Sequence, residues 1–191
     1  MSIAVSGKIV WGRARGILGV VSAAVFATLV LSGCSGDDGG EPGDDGGDKW
    51  SNVTHISQVD GTWKAPSNVG PYTMQQGITA TQSFTDYTIT FDAAAKTMTS
   101  SGSTTTTFSG NITDAIWSSV KSNLQSNYSG LDGVTFSFND AAHSCTQVND
   151  NFSVAVPENF TGSGYQINQN GTKLKIVVSG AGGYEIIYTK Q

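Results

Sequence analysis

A two-residue alternation of apolar and polar side chains constrains this chain more than any other feature. It recurs in Tyr87-Ile89-Phe91, Val134-Phe136-Phe138, Phe152-Val154-Val156 and Leu174-Ile176-Val178. A period of two sends alternate side chains to opposite faces of an extended strand. The intervening positions hold Thr, Ser and Lys, as a sheet needs when one face packs inward and the other meets water. The runs are separated by turn signals, AAAK after Asp92 and Asn170-Gly171 before the KLKIVV run. Met98, a threonine-rich run ending at Phe108, and a closing YEIIYTK extend the same pattern. The chain is therefore expected to be mostly β and antiparallel. Abundant Ser, Thr, Gly and Asn with only four prolines suit short strands and tight turns.

One stretch breaks the alternation. Thr113 to about Tyr128 (TDAIWSSVKSNLQSNY) places Ile116, Val120 and Leu124 four apart, with Trp117 and Tyr128 widening the stripe. Thr113 is placed to cap a helix, and Asp114 lies in the first turn, where the helix dipole favours an acid. Ile112 and Trp117 fall at the hydrophobic-staple positions, and Gly130 supplies the stop. A mid-chain helix near 113–128 is expected, covering a sheet or plugging a barrel mouth.

The first 34 residues read as a secretion signal. Lys8, Arg13 and Arg15 precede an uncharged run of 15 residues from Ile17 to Leu31, which is short for a bilayer span of roughly 20 residues. Leu31-Ser32-Gly33-Cys34 follows, and in that context it resembles the lipobox of bacterial lipoproteins. The resemblance implies cleavage before Cys34, a diacylglycerol thioether on its thiol and acylation of the new amine. A single chain gives only marginal membrane binding, whereas two or three make a lasting anchor. The alternative is an uncleaved membrane segment with a buried cysteine. Ser35, where an Asp would resemble an inner-membrane retention signal, favours delivery to the outer membrane. The acids close behind Cys34 resemble the surface-export tags of some Gram-negative lipoproteins.

The chain thus divides into a signal peptide (1–33), an acidic Gly/Asp tether (34–49) and a folded domain (50–191). The tether, SGDDGGEPGDDGGD after the cysteine, has six acids and no apolar side chain, so nothing offsets the entropy of ordering it. Its carboxylates are potential calcium ligands, but EF-hand spacing is absent. After Cys34 seven lysines face fifteen acids, a net charge of −8, and the domain from residue 49 onward keeps −2 of it with no arginine. Without a basic patch or a bidentate arginine, nucleic acid is excluded as a partner. About 140 residues form one domain able to bury its own core. With Cys34 lipidated, Cys145 has no disulfide partner in the chain.

Trp50 to Asp60 is a lead-in, read as one helical turn through Val53, Ile56 and Val59, and Gly61-Thr62-Trp63 opens the first strand after it. A glycine two residues before a tryptophan in that place resembles the Gly-x-Trp signature of lipocalins. The last third, GYQINQNGTKLKIVVSGAGGYEIIYTK, resembles the closing strands of bacterial lipocalin-like domains. The resemblance implies an antiparallel, about eight-stranded lipocalin-like barrel whose floor is closed by the lead-in under Trp63, with Gly61 relieving crowding. Lipocalins commonly stack an arginine on that tryptophan. Here Lys190 is the available cation for Trp63. Lipocalins usually carry their helix near the C-terminus, whereas this one is mid-chain.

Chemistry is sparse. His143-Ser144-Cys145 puts an imidazole and a thiol on one face of an expected strand, and His55 is the only other histidine. A metal needs three or four ligands, so none is expected, and no cofactor motif occurs. Carboxylates of the domain are single, and no oxyanion hole accompanies a Cys–His pair. The sequence therefore favours a non-enzymatic binding module for a small apolar ligand, held to the membrane through lipid at Cys34. The alternative is a surface interaction protein with a filled core, an adhesin or inhibitor using its Ser/Thr-rich faces on an unnamed protein or surface partner. An enzyme ranks third.

Overall fold

A computed structural model of the protein describes residues 48–73, 77–128, 131–160, 164–178 and 184–191. The lipobox residues Leu31, Ser32, Gly33 and Cys34, and the tether up to residue 47, lie outside them. Among the described residues are ten strands: β1 (Trp50–Asn52), β2 (Gly61–Lys64), β3 (Asn68–Thr73), β4 (Ile78–Asp92), β5 (Thr97–Gly110), β6 (Val134–Asn139), β7 (Ser144–Ala155), β8 (Tyr165–Asn168), β9 (Lys173–Val178) and β10 (Tyr184–Lys190). A 3-10 turn (Ile56–Gln58) follows β1, and one α-helix, α1 (Asp114–Tyr128), joins β5 to β6.

All pairings are antiparallel, in the order β1-β8-β9-β10-β2-β4-β5-β7-β6, with β3 on the same side of β4 as β2. The alternation governs local structure as expected. Tyr87, Ile89 and Phe91 are buried from β4, while Thr88 and Thr90 point the other way. The helix also forms as read: Thr113 Oγ1 accepts from the Ile116 amide at 3.3 Å, and Trp117, Val120, Leu124 and Tyr128 are buried.

The expected eight-stranded barrel is not what forms. The sheet has ten strands and stays open, with β1 and β6 as its edges. Closure would need a ladder between those edges, and β1 is only three residues long. Instead the chain leaving β7 meets the lead-in through an isolated His55–Asn159 bridge, with the Ile56 amide donating to the Glu158 carbonyl and the Phe160 amide to the Thr54 carbonyl, both at 2.9 Å. At the other edge α1 packs over the inner face.

Irregularities at one level of the three longest strands bend the sheet. The β4–β5 register shifts between Thr85 and Thr88, and the β5–β7 register between Ser100 and Gly102. Asp86, Gly102 and Asn151 all take positive φ there, at 49°, 105° and 52°. Bulges of this kind kink and twist a sheet. The bend divides the core in two. Trp63, Tyr87, Phe91, Met98, Phe152, Leu174 and Tyr188 form the larger cluster with the lead-in's Val53, Ile56 and Val59. Beyond it, Phe108, Trp117, Val120, Leu124, Tyr128 and Cys145 form a second cluster beneath α1.

Candidate functional site

Between the two clusters the inner face turns polar. Gln82, Ser100, Thr104, Thr106, Gln147 and Asn149 are each at most 4 % exposed. Gln82 lies opposite Thr106 across β4–β5, and Thr104 opposite Gln147 across β5–β7. Asn149 Nδ2 donates to Ser100 Oγ at 2.8 Å and to the Tyr87 hydroxyl at 3.3 Å, while Gln147 Nε2 donates to Asn149 Oδ1 at 2.7 Å. Gln82 Nε2 reaches Thr106 Oγ1 at 3.4 Å. Thr104 Oγ1 is buried without a hydrogen-bond partner among the described residues.

Tyrosines flank this band. Tyr72 and Tyr184 stack with ring centroids 4.3 Å apart and planes 4° from parallel. Burial pushes the Tyr72, Tyr128 and Tyr184 hydroxyls far above the ordinary phenol range. Neighbouring hydroxyls add to it, Tyr184 acting on Tyr72, Tyr128 on Tyr184, and Tyr87 on Tyr128. These phenols stay neutral at any physiological pH. The band is thus an uncharged set of amide and hydroxyl donors and acceptors beside aromatic rings. Such a set can orient a neutral molecule by hydrogen bonds while the rings cover its apolar parts.

Sequence reasoning passed over this band, though a signal existed. Gln147 and Asn149 share the strand parity of buried Cys145, and Gln82 shares that of Ala80 and Phe84. Polar residues on the apolar phase of an alternation are the mark of a buried polar group.

The three residues read as a floor-closing group do come together. Trp63 is wholly buried, and its Nε1 donates to the Val59 carbonyl at 2.6 Å. Lys190 pairs with Trp63 across β10–β2, and its Nζ lies 5.2 Å from the tryptophan ring centroid. Gly61 takes φ +109°, and a Cβ there would sit 3.4 Å from Lys190 Cε. They hold the lead-in against the sheet rather than closing a barrel. The tether's last acid is tied down as well. Asp48 Oδ2 lies 2.6 Å from Lys173 Nζ, and hydrogen bonds from Lys173 and Asn168 hold its carboxyl below the usual carboxylate range.

The imidazole–thiol pair does not assemble as read. β7 begins at Ser144, so His143 sits in the preceding turn with φ +44°, and its ring lies edge-on to Trp117 at 5.8 Å. His55 is on the lead-in, bonded to Ser57 Oγ and Glu158. Cys145 is buried in the α1 cluster opposite Thr106 and Phe138, and burial pushes its thiol up to about 12. A thiol this protonated and enclosed is a poor nucleophile. Native protein at pH 8 is expected to leave Cys145 unmodified by a chromogenic disulfide reagent, with one equivalent reacting at once in denaturant. Rapid native labelling would contradict the buried placement.

Among the described residues no three of His, Cys, Asp and Glu group as metal ligands, and no helix is long and apolar enough to cross a membrane. No protein-family model matches the chain, and neither a curated protein nor a solved structure does.

Proposed function

We propose that this protein is a lipid-anchored binding module of the bacterial outer membrane, held through Cys34, whose curled sheet takes a small, uncharged, hydrogen-bonding molecule against the band of Gln82, Thr104, Gln147 and Asn149. The anchoring half of the reading is supported by the Leu31-Ser32-Gly33-Cys34 stretch behind its basic and apolar segments. Cys34→Ser is expected to abolish incorporation of radiolabelled palmitate. A variant that still incorporates it at wild-type level removes the anchor from the proposal.

The binding half is carried by one observation, the neutral polar band on a face whose pattern calls for apolar residues. Burying an amide or hydroxyl costs free energy unless its hydrogen bonds are replaced. Replacing paired groups of this kind by aliphatic residues of the same shape can be nearly neutral or stabilising, so a face serving only as a core does not require them. The retained polarity, with the Thr104 hydroxyl left over, supports recognition of a partner that completes it. It also changes the expected ligand from an apolar molecule to a neutral polar one.

Thr104→Val keeps the shape and removes the buried hydroxyl. Relief of an unpaired group contributes about 1–3 kcal/mol at most, so stability is expected to hold or rise. Native mass spectrometry of the purified lipoprotein should detect a small bound molecule in the wild type and less of it in the variant. The reading fails if the wild type carries no such molecule and shows no thermal shift with any of a panel of neutral sugars, amides and nucleosides.

A further inference from the structure

The polar band is sealed. Its side chains are at most 4 % exposed, so no molecule reaches them until part of the wall moves. The walls differ in how they are held. β4, β5, β7 and β6 are joined by antiparallel ladders. The lead-in is tied by backbone hydrogen bonds from Val53 to the Tyr165 carbonyl at 2.8 Å and from Ile56 to the Glu158 carbonyl at 2.9 Å. α1 lies outside the ladder and rests on the sheet by side chains. Its Trp117, Val120, Leu124 and Tyr128 share a cluster with Phe108 and Cys145. Tyr128, its last residue, lies near the Tyr87 and Tyr184 hydroxyls, and the Tyr87 hydroxyl accepts from Asn149 of the band at 3.3 Å. A laddered strand leaves only when its whole row of backbone bonds breaks, whereas an element held by side chains can open as a unit.

A polar clasp fastens α1. Trp117 Nε1 and Lys121 Nζ, one turn apart on the helix, both donate to Asp140 Oδ1, at 2.7 and 2.6 Å. Asp140 stands in the turn between β6 and β7. The two donors hold its carboxyl below the usual carboxylate range. Asp140 is largely exposed while Trp117 is buried, so the clasp sits at the rim of the cluster. A charge pair at a rim can part without stranding a charge in the interior.

We propose that α1 is a movable cover over the interior site and that Asp140 is the clasp that holds it shut. The inference rests on the binding reading above and adds the route by which a molecule enters. Lifting α1 uncovers the inner face beside the band and breaks no strand pairing. In the open state water serves the Trp117 indole N–H. In the closed state that buried donor needs Asp140, because a buried donor without an acceptor is costly. The clasp thus interacts differently with the two states, which is what sets their balance.

Cys145 reports on the cover directly, since it is buried in the cluster beneath α1 and is the one thiol left once Cys34 carries lipid. The test labels the full lipoprotein in detergent with an excess of a chromogenic disulfide reagent, with and without low urea. Asp140→Ala is expected to label about tenfold faster than the wild type, at a rate that low urea leaves unchanged, as local opening requires. Asp140→Asn keeps an acceptor for Trp117 and loses the charge for Lys121, so it should fall between. Gly171→Ala lowers global stability in a turn away from α1 and should label at the wild-type rate. The proposal is overturned if Asp140→Ala labels no faster than the wild type. It is equally overturned if that rate climbs steeply with urea, as global unfolding does, or if Gly171→Ala is accelerated as much. These rates need no ligand, so their failure is distinguishable from that of the binding reading, which native mass spectrometry decides.

Discussion

Trp63→Ala is expected to destabilise the protein by about 3–5 kcal/mol, the range for deleting a large buried aromatic side chain. The ring has no solvent exposure and packs within the larger core cluster, which includes Val53, Ile56 and Val59 of the lead-in. Removing it leaves a cavity and takes away the donor that the Val59 carbonyl uses. The lead-in then loses its hold on β2, and with it the bridge from His55 to the chain leaving β7. A loss of this size is a large part of the 5–15 kcal/mol that natural domains hold in reserve. Urea unfolding followed by circular dichroism should show the midpoint collapse. Trp63→Phe separates the causes. It keeps most of the packing and loses the hydrogen bond, so its expected cost is about 1–3 kcal/mol. Lys190→Ala removes only an exposed cation over the ring, worth about 0.5–1 kcal/mol. An alanine at 63 that costs no more than the one at 190 would show that the tryptophan does not anchor the lead-in.

Gly102→Ala should be nearly as damaging, for a backbone reason. Gly102 takes φ +105°, and a Cβ there would lie 2.4 Å from the Asp86 carbonyl oxygen and 2.6 Å from Tyr87 Cα. Both are backbone atoms of β4, so no side chain can swing aside. Strained φ alone costs about 1–3 kcal/mol, and the clash adds the cost of parting β4 from β5. Three strands share this level through Asp86, Gly102 and Asn151, so the shift reaches the polar band as well as the bend. The comparison is Gly171→Ala. Gly171 has φ +67° and nothing within 4 Å of a new Cβ, so it should lose only the roughly 1–2 kcal/mol of left-handed backbone strain. Thermal melts that rank the two glycines equally would contradict the crowded bend.

Much of the architecture was legible in the order of residues. The period of two marked β4, β6, β7 and β9, because a half-buried strand must alternate. The four-residue spacing and the Thr113 cap marked α1 to within a residue. Trp63 and the buried lead-in residues Val53, Ile56 and Val59 were also within reach, since a local turn before a strand brings near neighbours together, whereas Lys190, at the far end of the chain, was reached only through the lipocalin resemblance. The polar band was harder. Gln82, Thr104 and Gln147 lie on three strands up to 65 residues apart in the chain, and only the β4–β5–β7 register gathers them. The turn at His143 was missed because the chain reverses one residue before the alternation resumes.

By itself the sequence determined the class of structure: antiparallel strands with one wet face, a single mid-chain helix, and a nearly neutral domain behind an acidic stretch. These follow from interactions between residues a few positions apart and from composition. The tertiary structure alone decided that the sheet stays open. Closure depends on pairing between distant edges, and here β1 is only three residues long and the chain leaving β7 meets the lead-in through a single isolated bridge at His55 rather than a continuous ladder. The same long-range pairing decided that amides and hydroxyls from separate strands meet in the interior. That arrangement is not encoded in any one segment. It arises from a register fixed at bulges where three strands bend together.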